Sequence, residues 1–322
     1  MSEANMILHP KNQLNLYGYD THLLNFINLY ENNKMPNSVL ISGLKGSGKS
    51  TFVYHLINYL LSKNENNKYE LSNYSINVDN FSYKRLCLNA HPNFYLIENS
   101  DSEKNIKIEQ IRNLINFINK TTYSQDLKII LIDNAEYLNL NSSNALLKVL
   151  EEPSKKTFFF IIQNNAYPIL ETIKSRCTEF KMHLKPSIKK YIFDSLLKQY
   201  QETNIYKDIV GDFYFDSPGN LLKYTFLLAN SQIDADEDKL DLILFLIKEY
   251  ENKKNSELLA FITTFIQKFY NELCLNTDRN NLNGYLLRQS SVFKYIYDMK
   301  KFNLYEKNYL TLIKETLINE KR

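Results

Sequence analysis

Tryptophan is absent from this sequence of 322 residues, and cysteine occurs three times, at Cys87, Cys177 and Cys274. The cysteines are odd in number and far apart, so neither a disulfide framework nor a C-x-x-C metal pair can be written. This pattern fits the reducing cytosol and predicts a cytoplasmic protein. The chain is rich instead in Asn, Lys, Ile and Tyr, a bias that is typical of an AT-rich genome and indicates no function by itself.

A strong charge of one sign and long hydrophobic runs are also lacking. The 39 basic and 36 acidic residues leave a net charge of +3, which excludes a global attraction for nucleic acid but leaves a local basic face open. No apolar run reaches the roughly 18–20 residues needed to cross a bilayer. The start, "MSEANMILHP", has no basic region followed by an apolar core, so no signal peptide is expected.

Residues 1–185 alternate between strand-like and helix-like segments. Helical periodicity or a polar start followed by apolar spacing predicts helices at 49–63, 108–120 and 141–152. Continuous apolar runs predict buried strands at 38–43, 93–98, 127–133 and 157–165. This alternation favours an α/β domain built on a parallel, doubly wound sheet.

The pattern changes after residue 185, where helical periodicity dominates. Amphipathic segments predict helices at 187–201, 238–253 and 257–274. We place one boundary near residue 185 and a softer one near 234. The predicted domains are therefore an α/β domain at 1–185, a small helical lid domain at 186–234 and an all-helical collar domain at 235–322.

The segment "GLKGSGKS" at 43–50 matches G-x-x-x-x-G-K-[ST] and lies between a predicted strand and a predicted helix. In this context the backbone N–H groups converge on phosphate oxygens, and the helix N-terminus adds positive potential. Lys49 would reach the β- and γ-phosphates, and Ser50 would ligate Mg²⁺ of bound ATP. The residues expected to bind nucleotide in this segment are Gly43, Gly46, Gly48, Lys49, Ser50 and Thr51.

A second part of the nucleotide site is predicted where "IILIDNAEY" at 129–137 ends its strand on Asp133. An aspartate at the carboxyl end of a parallel strand can hold the Mg²⁺ shell, and the spacing indicates a sheet with an extra central strand between the two motifs. P-loop proteins of that branch carry a glutamate next, which polarises the attacking water. Here Asn134 replaces it and cannot accept a proton, while Glu136 is expected to point elsewhere.

Two longer motifs identify a family resemblance. The segments "NALLKVLEEP" at 144–153 and "SRC" at 175–177 closely resemble those of bacterial clamp-loader subunits of DNA polymerase III. The resemblance covers most of residues 15–230 and implies an AAA+-like P-loop domain followed by a lid and a helical collar. It also implies a subunit of a hetero-oligomer that loads the sliding clamp onto primed DNA, as a non-polymerising part of the holoenzyme.

Within this family the chain is most similar to delta-prime subunits, which resemble the motor subunits but do not drive the ATP cycle. Asn134 stands in the place of the catalytic glutamate, and "DSPGNLLKY" at 216–224 resembles the delta-prime turn. Leu222 stands about where motor subunits carry a sensor arginine, and no long tail follows the third domain. An ATP-hydrolysing motor subunit of the gamma/tau type remains the alternative.

The resemblance also assigns a role to Arg176 of the S-R-C motif. In clamp loaders this arginine reaches the ATP site of the neighbouring subunit as an arginine finger. The implied partners are gamma/tau-type and delta-type subunits, with the sliding clamp and primer–template DNA contacted through the complex. ATP and Mg²⁺ are possible ligands of the chain's own site, with weak hydrolysis or none.

Three other interpretations of the sequence have less support. Many family members have a four-cysteine zinc module before the second strand, whereas this sequence has only Cys87 and His91 there, so no zinc is predicted. An unrelated P-loop kinase would need a pocket for its acceptor, of which the helical half gives no sign. Lys148 and the basic residues at 174–185 could meet DNA phosphates, although scattered lysines usually form a solvated face.

Overall fold

The computed structural model describes residues 9–99, 105–119, 127–153, 156–164, 168–200, 210, 216–229, 238–277, 279–302 and 306–321. These residues divide into two compact units. The first holds the described residues up to 201 together with those at 214–223, and the second holds the described residues at 202–213 and from 224 onward. The softer boundary predicted near 234 lies outside the described residues, and the three-domain division stays a prediction.

The first unit is built on five strands, which are β1 (Ser38–Gly43), β2 (Phe94–Ile97), β3 (Lys128–Ile132), β4 (Thr157–Asn164) and β5 (Thr178–Met182). They form one sheet in the order β2-β3-β4-β1-β5, in which all neighbouring strands are parallel. The predicted parallel α/β fold is therefore confirmed. Strand β4 lies between β1, which leads into the P-loop, and β3, which leads to Asp133, as the spacing of the two motifs predicted.

Helices cover both faces of this sheet because alternate strand residues point to opposite sides. Ile129 and Leu131 of β3 belong to one buried cluster, whereas Ile130 of β3 belongs to another. The first cluster includes Phe52, in the helix that begins at Lys49, and the second includes Leu146, in the helix that ends at Glu151. The helices of the α/β region are α1 (Asp20–Glu31), α2 (Lys49–Ser62), α3 (Phe81–Cys87), α4 (Ile108–Asn119), α5 (Leu140–Glu151) and α6 (Glu171–Lys174).

Two local features differ from the sequence prediction. Strand β5 was not predicted, because its sequence "TEFKM" is short and polar and only Met182 is fully buried. It forms an edge strand that pairs with β1 alone, where such a composition is tolerated. Helix α5 begins at Leu140, and its N-cap is Asn139, whose side chain accepts a hydrogen bond from the Ser142 N–H at 2.8 Å.

The remaining described helices are α7 (Pro186–Gln199), α8 (Pro218–Ala229), α9 (Lys239–Lys253), α10 (Ser256–Leu275), α11 (Arg279–Phe302) and α12 (Glu306–Ile318). The helical prediction for this part of the chain is confirmed. Within the second unit, α10 packs against α9 and α11, and α12 packs against α9 and α11. Tyr224 stacks on Phe261 in its core, with ring centroids 4.3 Å apart. No helix in the described part of the chain is long and apolar enough to cross a membrane.

Candidate functional site

The P-loop connects β1 to α2 at the carboxyl edge of the sheet. Gly46 has a φ of 76° and Gly48 a φ of 94°, a left-handed conformation that strains any residue with a Cβ atom. A Cβ on Gly43 would lie 2.6 Å from the carbonyl oxygen of Met182 in β5. The three predicted glycines are therefore each required by the backbone. Thr51 follows in the first turn of α2 and is partly buried.

Lys49 is buried, and its side chain folds back onto the P-loop. Its Nζ donates to the carbonyl oxygens of Gly43 at 3.1 Å and Leu44 at 2.6 Å, and to Asn164 Oδ1 at 2.8 Å. These bonds use all three N–H donors of the ammonium group. Burial lowers the pKa of Lys49 to about 8, even though Asp133 and Glu136 favour the charged form. A bound phosphate would have to take over one of these hydrogen bonds.

Ser50 and Asp133 meet as the sequence predicted for a magnesium site. The Ser50 Oγ donates to Asp133 Oδ2 at 2.9 Å, and the Asn134 N–H donates to Asp133 Oδ1 at 2.9 Å. Burial nevertheless raises the pKa of Asp133, although the hydrogen bonds from Ser50 and from the Asn134 N–H and the charge of Lys49 favour its ionised form. A buried carboxylate beside a hydroxyl is a donor pair suited to Mg²⁺ bound with a nucleotide.

The loop also carries a polar atom that a phosphate could satisfy. The Ser47 hydroxyl is buried and has no hydrogen-bond partner among the described residues. Buried polar atoms without a partner are rare and often mark a ligand site. Together with Lys49, Ser50 and Asp133, it makes the residues present fit ATP and Mg²⁺, which were predicted as possible ligands.

Asn134 lies in the left-handed region, with φ 57° and ψ 53°. Asparagine adopts this conformation more readily than most residues, which offers one local reason for its presence. Its Oδ1 accepts from Asn164 Nδ2 at 2.8 Å, and its Nδ2 donates to Asn99 Oδ1 at 3.3 Å. The amide thus occupies the position expected for a catalytic carboxylate, but it is itself neutral and is hydrogen-bonded to two other asparagine side chains.

Glu136 does not point away from the site, so that expectation was wrong. Its Oε1 accepts from Asn164 Nδ2 at 2.7 Å, and its Oε2 accepts from the Asn164 N–H at 3.1 Å. The short 3₁₀ turn Ala135–Tyr137 carries the side chain back toward the sheet edge. Since Asn164 also bonds Lys49, the carboxylate of Glu136 is one hydrogen-bonded residue away from the P-loop lysine.

Asn164 is a site residue that sequence reasoning missed. It ends β4 and is paired in register with Gly43, the last residue of β1. It links Lys49 to both Asn134 and Glu136. The available signal was a polar residue at the end of an apolar strand. That position brings it to the same sheet edge as the P-loop once β4 is known to lie beside β1.

The turn that resembles the delta-prime motif packs against the P-loop within the first unit. The Gly219 N–H donates to the carbonyl oxygen of Gly46 at 2.9 Å. A Cβ built on Gly46 would lie 2.4 Å from Ser217 Oγ and 2.7 Å from Asn220 Oδ1. Leu222, which stands about where motor subunits carry an arginine, is buried with 4% exposure. An apolar side chain at that position supplies no charge to a phosphate.

The close contact between Gly219 and Gly46 predicts that a glycine-to-alanine substitution destabilises the protein at position 219, whereas the same substitution at an uncrowded glycine stabilises it. A Cβ on Gly219 would lie 2.6 Å from the Gly46 carbonyl oxygen, a backbone atom that cannot move freely. We expect Gly219→Ala to destabilise the protein by about 1–3 kcal/mol through overpacking. Gly284 in α11 serves as the control, since a Cβ there would come no nearer than 3.5 Å to the Arg288 side chain, which is ordinary van der Waals contact. Gly284→Ala should stabilise by about 0.4–1 kcal/mol.

Urea unfolding of both variants checks this pair of predictions. If Gly219→Ala is as stable as the unsubstituted chain while Gly284→Ala gains stability, the close approach of the turn to the P-loop is contradicted.

Arg176 does not join this cluster. It lies in the turn between α6 and β5, and its guanidinium bonds Glu151 and the Thr172 carbonyl oxygen rather than any part of the P-loop. Its side chain is about one-third exposed. The structure thus brings together the predicted nucleotide-binding residues and leaves Arg176 outside them, and the role of Arg176 stays a prediction.

The region of the family's zinc module holds two separate polar contacts. The Cys87 thiol is directed at the Lys11 carbonyl oxygen, 3.9 Å away, and at Asn12 Oδ1, 3.8 Å away. His91 accepts from the Asn93 N–H at 3.2 Å, and burial lowers its pKa to about 4. Among the described residues no three His, Cys, Asp or Glu side chains are grouped to hold a metal ion. The absence of zinc stays a prediction.

Comparison with known proteins identifies the family of this chain. A family model described as "DNA polymerase III, delta subunit" matches residues 19–186, just over half of the chain. The chain is 39% identical over 94 residues to DNA polymerase III subunit delta' of Pseudomonas aeruginosa, which covers 29% of each chain. It is 32% identical over 158 residues to subunit delta' of Buchnera aphidicola subsp. Schizaphis graminum, covering 49% of this chain and 46% of the relative.

A gamma subunit is also similar. DNA polymerase III subunit gamma of the same Buchnera is 31% identical over 154 residues, covering 47% of this chain and 39% of the relative. The chain spans less than half the length of each of these three relatives. The family model, the delta-prime relatives and the parallel sheet with its P-loop agree. The chain therefore belongs to the DNA polymerase III delta subunit family, among the clamp-loader subunits of the delta-prime type.

Proposed function

We propose that this chain is a non-motor subunit of a DNA polymerase III clamp loader, which supports loading of the sliding clamp onto primed DNA. In this role it lends Arg176 to the ATP site of a neighbouring subunit and hydrolyses ATP weakly or not at all. The delta-prime relatives support the assignment to a clamp loader. The division of labour between the two sites is inferred from the chemistry of the residues themselves.

The single observation that carries the proposal is that Asn134, an amide engaged in hydrogen bonds, stands where a catalytic carboxylate is expected. Its amide oxygen is occupied by Asn164 Nδ2, and an amide has no basicity to remove a proton from water. The nearest carboxylate, Glu136, is itself held by the side chain and backbone of Asn164. Neither group is therefore prepared to act as the general base in hydrolysis.

Binding of a nucleotide is a separate property that the site retains. Lys49, Ser50 and Asp133 keep the residue types that hold phosphates and Mg²⁺. When bound, ATP with Mg²⁺ would supply a polyphosphate for the loop to grip. The chain's own residues would then neutralise its charge and stabilise the subunit joint without promoting its cleavage.

Arg176 suits the opposite role because it lies outside the chain's own P-loop contacts and is partly exposed. A guanidinium that reaches a neighbour's γ-phosphate stabilises the charge that develops in phosphoryl transfer. The partners in this proposal are gamma/tau-type and delta-type subunits, in the cytoplasm, with the clamp and primer–template DNA contacted through the complex.

The ATP turnover of the purified chain tests this proposal against the motor alternative. We expect turnover well below one per second, since the site has no prepared base. The gamma-type resemblance and the complete P-loop would favour a motor subunit if the rate reached several per second. A Lys49→Ala variant provides the background rate, because it removes the phosphate-binding amine without touching Arg176.

A further inference from the structure

The guanidinium of Arg176 is fixed at three points by its own chain. Its Nε and Nη2 donate to Glu151 Oε1 at 3.1 and 2.7 Å, and its Nη1 donates to the Thr172 carbonyl oxygen at 2.9 Å. Three of the five N–H donors of the group are used in this way. A long arginine side chain would otherwise sample many rotamers, so these bonds select one direction for it.

Both anchors stand on helices that the fold holds in place. Glu151 is the last residue of α5, whose Leu146 and Leu150 are buried in the core beside the sheet. Thr172 lies in α6, which packs against α5. The direction of the arginine is therefore set by two packed elements rather than by the turn in which it lies.

The ion pair contributes little to stability by itself. The side chain of Glu151 is 52% exposed and that of Arg176 is 33% exposed. Ion pairs in such surroundings are worth little because water screens them and ordering the side chains costs entropy. A three-point arrangement that stabilises the fold so weakly has its main consequence in the orientation of the arginine.

The hydrogen-bond pattern also leaves the arginine able to act. The bonds to Glu151 and Thr172 account for Nε and for one N–H on each of the two terminal nitrogens. Each terminal nitrogen has a second N–H, and a guanidinium presents such a pair to phosphate oxygens in a fork. Arg176 can therefore bind a phosphate without releasing Glu151.

We infer that Glu151 is a positioning residue that holds Arg176 in the direction from which it reaches the neighbouring subunit's nucleotide. The inference rests on the proposed function, since it matters only where Arg176 acts in trans. Pre-organisation means that the entropy of ordering the side chain is lost before the transition state forms. Removal of the carboxylate should thus lower kcat of the neighbouring site and leave KM unchanged.

A double-substitution cycle in the reconstituted complex tests this inference. Single-turnover ATP hydrolysis at the neighbouring site is measured over a range of ATP concentrations for complexes carrying Glu151→Ala, Arg176→Ala or both, with Glu152→Ala as the control. Glu152 is the next residue and is exposed, and its replacement by alanine removes the same negative charge. We expect Glu151→Ala to lower kcat about three- to tenfold, which corresponds to the entropy cost of ordering one long side chain. Glu151→Gln should lose less, because its amide oxygen can still accept from the arginine.

The double variant separates positioning from a structural role. If Glu151 acts through Arg176, adding Glu151→Ala to Arg176→Ala changes nothing further. An equal additional loss in that background would mean that Glu151 only supports the fold, and would overturn the inference. A normal kcat for Glu151→Ala beside a strong effect of Arg176→Ala would overturn the inference alone. A normal kcat for Arg176→Ala would overturn the proposed function as well.

Discussion

Replacement of Arg176 by alanine is expected to lower ATP hydrolysis at the neighbouring site that we propose it serves by about 10³-fold or more. The reason is electrostatic, since the guanidinium would offset charge on the γ-phosphate that grows toward the transition state. The effect should fall on kcat rather than on ATP affinity. Single-turnover hydrolysis in the assembled complex, followed at the site next to this chain, measures it.

Two variants control for charge and for folding in that experiment. Arg176→Lys keeps the charge but loses the planar fork and its three-point attachment to Glu151 and Thr172. It should recover only a small part of the rate. Lys174→Ala removes an exposed cation two residues away, which pairs with Glu179 at 3.7 Å. This variant should hydrolyse ATP at the unsubstituted rate, and a loss equal to that of Arg176→Ala would mean that general surface charge is responsible.

The second large effect is a pH dependence of ATP binding by the isolated chain. Burial lowers the pKa of Lys49 to about 8 when no nucleotide is bound, and bound phosphates favour its charged form. Below this pKa the lysine is already protonated, and above it a proton must be taken up on binding. By linkage, ATP affinity should fall up to about tenfold for each pH unit above 8.

Titration calorimetry between pH 7 and pH 9 checks this expectation, and Lys49→Ala is the matched control. That variant should bind ATP weakly, and its affinity should not change steeply across the range. A constant ATP affinity of the unsubstituted chain over the same range would contradict the protonation of Lys49 on binding. The charged groups that act on its amine are Asp133 and Glu136, which favour its protonated form, and Lys45, which disfavours it. Burial raises the pKa of Asp133.

Much of the α/β unit could be predicted because its strands are continuous apolar runs. Strand β3 and helix α4 were found almost to the residue, since full burial and a one-sided apolar face leave clear periodic patterns. Strand β5 was missed because it pairs on one side only and only one of its five residues is fully buried. An edge strand needs no apolar run, so its formation depends on β1 beside it.

The candidate site shows the same limit at the level of single residues. Lys49, Ser50 and Asp133 follow from motifs because the chemistry of phosphate and Mg²⁺ fixes their types and spacing. The roles of Asn164 and Glu136 in the site could not be predicted from the sequence, because their positions depend on tertiary structure. The first requires the register of β4 against β1, and the second requires the turn of Ala135–Tyr137 to bend back. The same holds for the pairing of Glu151 with Arg176.

The most direct test of the account compares Lys49→Ala and Arg176→Ala side by side in the complete complex, with the rate of clamp loading onto primed DNA as the readout. If this chain serves its neighbour's nucleotide rather than its own, Arg176→Ala slows loading severely and Lys49→Ala leaves most of the rate. The reverse order, with Lys49→Ala severe and Arg176→Ala normal, would show that the chain is a motor and would contradict the account.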